Sequence, residues 1–212
     1  MNKENAPPPE ADAESVELPV IEFQSPGRFA VHNPPSQHAE PQHWEPAPYS
    51  LGVHLPLERF SQPAEARAHA LALLQQAQRS ICIYSQDLEP WLYNHSSVQE
   101  ACTRLLLSSP KSQIRILLRD ITRATKEGHR LLNLSHRLPS NLQIRKINPD
   151  HPSDAAAFLL ADRHGLLLRP EPANLAGYAL YNDAGRVRQR QAQFDQAWDL
   201  SITDPDLRSF LL

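Results

Sequence analysis

His129 and His136 stand seven residues apart in a stretch of helical periodicity. That spacing separates them by about 10.5 Å along a helix axis, too far to share one zinc ion directly. His32, His38 and His43 form a looser group in a Pro-rich stretch and read as solvated linker residues. Cys82 and Cys102 are the only cysteines. Cys82 falls inside an expected strand and Cys102 inside an expected helix, so both read as small core residues, and two thiols so placed do not make a zinc site. Six glycines could hardly supply a phosphate-cradling loop. No cofactor and no metal are expected. His151, Asp154, Asp162 and His164 crowd one short stretch, and acid–base or nucleophilic chemistry would have to be assembled from them.

A second feature is charge. Between Arg104 and Lys146 there are ten Lys or Arg against Asp120 and Glu127 alone, a balance of +8. Arg115, Arg119, Arg123, Lys126, Arg130, Arg137, Arg145 and Lys146 recur through it. If they share a surface they suit a polyanion, either nucleic acid or an acidic protein; scattered, they are only solvated faces. No Phe, Tyr or Trp lies in this interval, which argues against a base-stacking reader. Residues 1–54 hold two basic residues against eight acidic ones, and eleven of the 20 prolines lie at or before Pro56. Residues 1–54 are therefore expected to form a disordered acidic Pro-rich arm and linker, and 55–212 an α/β domain. The arm could also occupy the basic surface in cis. Trp44 and Tyr49 are out of character for a linker and are expected to pack on the domain.

The elements that must position these residues follow from periodicity. Leu18–Phe23 and Arg28–His32 read as short extended pieces. A helix opens at Ser61 or Gln62 with Pro63 in its first turn, and Ala66, Ala70, Leu74, Ala77 and Ile81 mark its apolar face. Ile81–Tyr84 is a strand. Ser97-x-x-Glu100 reads as a capping box opening a second helix. Ile114–Leu118 is a strand, 126–138 a helix and Leu142–Ile147 a strand. Ala157–Ala161 and Leu166–Arg169 form a hairpin turned at Asp162–Gly165. A strand at Tyr178–Tyr181 and a closing helix over 187–200, with Phe194 and Trp198 inside, complete the chain. The alternation over 61–150 predicts a mixed, mostly parallel sheet flanked by helices.

This order resembles one half of the phospholipase D superfamily. The matching features are the polar loop Ser85-Gln86-Asp87-Leu88, the strand Ile114–Asp120, the hairpin and the closing Phe194-x-x-x-Trp198. The chain is also similar to a proteobacterial group with the same degenerate pattern. The resemblance implies a signature His-x-Lys-x-x-x-x-Asp, in which the histidine attacks phosphorus and the lysine neutralises phosphate. Read back from Asp162, the histidine position is Ala155 and the lysine position Ala157. The Gly-Ser pair that follows in the family is replaced near Arg169-Pro170. Alanine has neither a lone pair nor a charge to offer.

The expectation is a non-catalytic phospholipase D-like half domain acting as a binding or regulatory module. Its partner would be nucleic acid, held weakly and without sequence preference, or a protein, and a homodimer stays open. Two alternatives remain: a phosphodiesterase or nuclease using His151 or His164, and a scaffold acting through the Pro-rich arm. The opening MNKENAPPPEADAE is not a signal peptide, and runs such as Leu166–Leu168 are too short to span a membrane. A cytoplasmic protein with reduced thiols is expected.

Overall fold

Alternating β-branched and apolar residues at Ser80–Ser85 make the central strand β2, with Ile81 and Ile83 on one face and Cys82 and Tyr84 on the other, all buried. The computed structural model describes residues 43–150 and 155–208. The two extended pieces at Leu18–Phe23 and Arg28–His32, the rest of 1–42, His151 and Asp154 lie outside the described residues. The strands are β1 (Glu58–Phe60), β2, β3 (Gln113–Leu118), β4 (Leu142–Lys146), β5 (Ala157–Ala161), β6 (Gly165–Arg169) and β7 (Gly177–Leu180). The helices are α1 (Pro63–Gln76), α2 (Pro90–Tyr93), α3 (Ser96–Ser108), α4 (Thr122–Lys126), α5 (Arg130–Arg137) and α6 (Ala184–Asp199), with a 3₁₀ turn at Pro205–Arg208.

One sheet runs in the order β1-β7-β6-β5-β2-β3-β4. The strands of 61–150 pair in parallel, β2 with β3 and β3 with β4, as the helix–strand alternation predicts. The sheet as a whole is mixed, and its parallel share is smaller than expected, since the other four pairings are antiparallel. The reason is connection length: β5 and β6 are joined by a three-residue turn, which only antiparallel neighbours can use. Helices α1, α3 and α5 bury Leu71, Leu74, Leu105, Leu131 and Leu134 on one face. Helix α6 covers the other with Val187, Phe194 and Trp198.

Local chemistry explains the remaining departures. The expected helix over 126–138 is shorter, α5 at Arg130–Arg137, and is separated from α4 by Gly128, whose φ of +69° is open to glycine at little cost. Ser97 does not cap α3. His95 does, its Nδ1 accepting from the Ser97 backbone N–H at 3.3 Å, while the buried Ser97 hydroxyl meets His43 Nδ1 at 2.7 Å. At α1 the cap chemistry is as read, with Glu65 accepting from the Ser61 and Gln62 N–H groups at 3.0 and 3.2 Å. β1 is an added strand, pairing only with β7. Gly177 permits this, because a Cβ there would sit 2.4 Å from the Leu168 carbonyl oxygen and 2.6 Å from the Phe60 ring.

Residues 43–57 carry no helix or strand, yet they do not stand off as a linker. The Ala47 N–H donates to the Ala68 carbonyl at 2.9 Å and the Gly52 N–H to the Tyr181 carbonyl at 2.7 Å. Trp44 stacks on His95 with centroids 4.1 Å apart, and the Arg67 guanidinium lies 5.1 Å from its ring. Tyr49 stacks on His69 at 5.6 Å. Both aromatics therefore pack on the domain, where apolar area and ring contacts offset the ordering of an irregular segment.

Candidate functional site

Ala157 opens β5 beside the end of β2, and Ala155 lies exposed two residues before it. Ala157 is buried and pairs in register with Arg169 of β6. Alternation sends Ala157, Leu159 and Ala161 to the face shared with α1 and α3, and Arg169 projects to the same side. Where the family resemblance implies a histidine and a lysine, the chain thus has two methyl groups and a neighbouring arginine.

Arg169 is only 1% exposed and forms an ion pair with the buried Glu89. Its Nε and Nη2 also donate to the Asn174 carbonyl at 3.4 and 3.2 Å, and Nη2 donates to the Pro172 carbonyl. The guanidinium lies 5.0 Å from the Trp91 ring centroid. Glu89 is delivered by a turn in which Leu88 (φ +65°) and Glu89 itself (φ +35°) are both left-handed. Such non-glycine residues cost roughly 1–3 kcal/mol each and persist only where surroundings over-determine them. Here Asp87 Oδ1 accepts from the Glu89 N–H at 3.0 Å, Leu88 is fully buried, and the Ser85 hydroxyl donates to Glu89 at 3.3 Å. Burial pushes the Glu89 carboxyl above the ordinary range, and Arg169 pulls it back. Arg169 is therefore saturated by protein groups. It is a lock on the Ser85–Glu89 turn and the 170–176 loop, not a waiting phosphate ligand.

The same turn leans on His129. Its Nδ1 accepts from the Leu131 N–H at 3.1 Å, capping α5, while Nε2 is buried against the Leu88 carbonyl without good hydrogen-bond geometry. Burial lowers its pKa from 6.5 to about 4. Because the folded value lies below the unfolded one, the unfolded chain binds more protons across that window. Stability should therefore fall as pH drops from about 6.5 toward about 4, by about 3 kcal/mol from this residue alone. His129→Asn, which keeps a capping acceptor, should flatten that part of the urea-midpoint profile. His69 and His95, also held down by burial, leave a residual slope. A profile identical to the unaltered chain's would refute the assignment.

Asp162 is at the far end of β5, about 17 Å from Ala157 at the usual strand rise. With φ +52° it turns the hairpin, but its hydrogen bonds are not local to it. Its carboxylate accepts from the Gln78, Arg79 and Ser80 N–H groups at 2.8, 2.8 and 2.9 Å, pinning the hairpin to the start of β2. His164 and Asp162 do line a common shallow cleft of about 520 Å³. Three backbone N–H groups already occupy both Asp162 oxygens, so its carboxylate is held by the start of β2 and is not aimed at orienting a base. Among the described residues no group of three or more His, Cys, Asp or Glu could hold a metal ion. Cys82 and Cys102 are free and buried, and burial raises the Cys102 thiol to about 12.

The eight basic residues singled out from the +8 stretch do not share one face. Arg115 lies under α6, bound to Asp195 at 2.8 Å and 5.1 Å from the Phe194 ring centroid. Arg145 lies 4.3 Å from the Trp198 centroid and Arg119 5.8 Å from that of Tyr84, both on the α6 side. Arg123 pairs with Asp87 and Glu127, and Lys146 with Asp204. Lys126 is exposed on α4. Arg130 and Arg137 are exposed on α5, whose leucines pack on the opposite face of the sheet.

The arginines that do line up were only partly visible in the sequence. Register places Arg59, Tyr178, Leu168, Phe158, Tyr84, Leu117 and Arg145 side by side across all seven strands. The buried members belong to the α6-side core. Arg186 and Arg190 of α6 reach over the same row, 5.9 Å from the Tyr178 centroid and 5.7 Å from that of Phe158. Arg59, Arg186 and Arg190 lie outside the basic interval, and their convergence is a product of pairing order.

No protein of curated function matches the chain in sequence. Among solved structures, the archaeal chromatin protein TrmBL2 is similar with a TM-score of 0.50 and 11% identity, over 70% of this chain and 55% of that one. Nuc from Salmonella typhimurium, a phospholipase D family member, is similar with a TM-score of 0.50 and 12% identity, over 69% of this chain and 95% of that one. This chain thus spans about half the length of TrmBL2. At these identities the likeness is one of fold, and the fold is phospholipase D-like. No helix among the described residues is long and apolar enough to cross a membrane. The sequence profile of one family matches residues 62–210, most of the folded part, and the chain belongs to that family, described as a domain of unknown function (DUF7931).

Proposed function

We propose that the chain is a non-catalytic phospholipase D-like module that binds a polyanion. The observation that carries this reading is the pair Ala155, just before β5, and Ala157, which opens it, with the adjacent Arg169 already committed to Glu89. A phosphoryl-transfer site needs a nucleophile and a charge aimed at the phosphate, and this position has neither. Binding of anions asks less, and the arginines of the α6 side suit it. The likeness to TrmBL2, a chromatin protein whose structure shows a mode of DNA binding, supports nucleic acid as the class of polyanion.

The purified protein is expected to show no turnover of phosphodiester lipid, dinucleotide or DNA substrates above a buffer blank. Turnover abolished by His164→Ala or His151→Ala would overturn the reading in favour of a relocated histidine. The scaffold alternative loses one of its anchors, because Trp44 is stacked between His95 and Arg67.

A further inference from the structure

The residue row across the sheet begins and ends in arginine, and three further guanidinium groups lie over its rings Tyr178, Phe158 and Tyr84. From one edge to the other the arginines are Arg59, Arg186, Arg190, Arg119 and Arg145. Seven strands at about 4.8 Å give a track of about 29 Å. Arginine stacked on a ring uses the face of its guanidinium, so the stacking itself does not consume the N–H edge; in the row Arg190 also donates to Gln193 and Arg145 to Gln143. The N–H edge matches phosphate oxygens in a two-pronged way that lysine does not.

Arg119 gives a second observation pointing to a ligand. Its Nη2 is buried and has no hydrogen-bond partner among the described residues. A charged donor left unsatisfied is costly, and because Arg119 as a whole is only half-buried, a turn of its side chain would carry that donor to an acceptor outside. Among the described residues the acids near the row are Asp183, 3.5 Å from Arg186, Asp195, engaged by Arg115, and Glu65, which shares a cleft with Arg59. At the β1 edge the row opens into a cleft of about 440 Å³ lined by Arg59, Tyr178 and Pro170.

We propose that this arginine row is a track for the phosphate backbone of duplex nucleic acid. The inference rests on the polyanion reading above and assigns its site and its ligand. Duplex is favoured over single strand because the rings of the row serve as supports beneath the arginines. Among the described residues no large aromatic side chain is fully exposed, and the half-buried Tyr178 is the one ring of the row that lines an open cleft, which disfavours a base-stacking platform. A track of this length faces close to one turn of duplex, whose charges recur about every 1.7 Å of axis. The track lies on the sheet face opposite Ala157, so it does not depend on the emptied motif. Recognition through phosphates alone carries no sequence preference.

The test uses the full chain with a mixed-sequence duplex of about 20 base pairs, the matching single strand and heparin, from about 50 to 200 mM salt. Arg59→Gln, Arg186→Gln and Arg119→Gln should each weaken duplex binding roughly three- to tenfold, equally for every sequence. Each should also reduce the log–log salt slope by about 0.9. Arg130→Gln and Arg137→Gln, on the other layer, should leave both unchanged. Arg59 and Arg186 are exposed, so their variants keep the test valid if Arg119→Gln folds poorly. Row variants that bind as tightly as the unaltered chain overturn the track but leave the polyanion reading standing. A clear preference for the single strand overturns the duplex assignment. An unaltered chain that binds none of the three probes overturns both.

Discussion

Arg169→Ala is expected to cost about 3–5 kcal/mol of stability, because it strands the buried Glu89 carboxylate without its counter-charge. It also releases the Pro172 and Asn174 carbonyls that the guanidinium now holds. Glu89→Gln should be milder, since the amide oxygen still accepts from Arg169. The informative variant is the double replacement Glu89→Leu with Arg169→Met. An apolar pair of similar volume removes both desolvation penalties, and it should recover most of what the single change loses. Urea unfolding of the three variants decides the matter. If Arg169→Ala melts like the unaltered chain, the pair is not the lock on the Ser85–Glu89 turn described here.

Trp198→Ala is expected to cost about 3–5 kcal/mol, the range for truncating a large buried aromatic. Trp198 is 7% exposed and stacks on Phe194 with centroids 5.7 Å apart. It also carries Arg145 and Arg115 against its ring, at 4.3 and 5.4 Å. The variant should therefore lose more than hydrophobic area, because two guanidinium groups lose their support and one end of the arginine row loosens. Trp198→Phe should keep most of the stability while weakening duplex binding at the β4 end. An unchanged melting temperature for Trp198→Ala would show that α6 is not the cover of the second core.

What the sequence made legible is what local pattern dictates. The runs at β2, β3 and β4 are β-branched and apolar, and the hairpin is bounded by Asp162 and Gly165, so their existence needed no tertiary information. Phe194 and Trp198 lie one turn apart and could be assigned to the inside of α6. β1 escaped because Glu-Arg-Phe has no pattern of its own and becomes a strand only beside β7. The cap of α3 was misplaced because a histidine nitrogen did the work that a serine usually does. Glu89 and Arg169 are eighty residues apart, and nothing in either neighbourhood announces the other. The basic interval was read as linear clustering, whereas surface charge follows strand order. Arg119 and Arg145 therefore join Arg59, Arg186 and Arg190 while Arg130 and Arg137 go elsewhere.

The match to the family begins at residue 62, just past β1. A chain cut at that boundary would lose the strand that closes β7, baring a row of backbone donors and acceptors from Gly177 to Ala179. It would also strip Tyr49 from His69 and Tyr181, and Trp44 from His95. An open, partly apolar strand is a template for pairing with another molecule. Self-association of such a fragment would then report the missing cover of the sheet rather than a natural oligomer, because β1 is what covers the edge of β7.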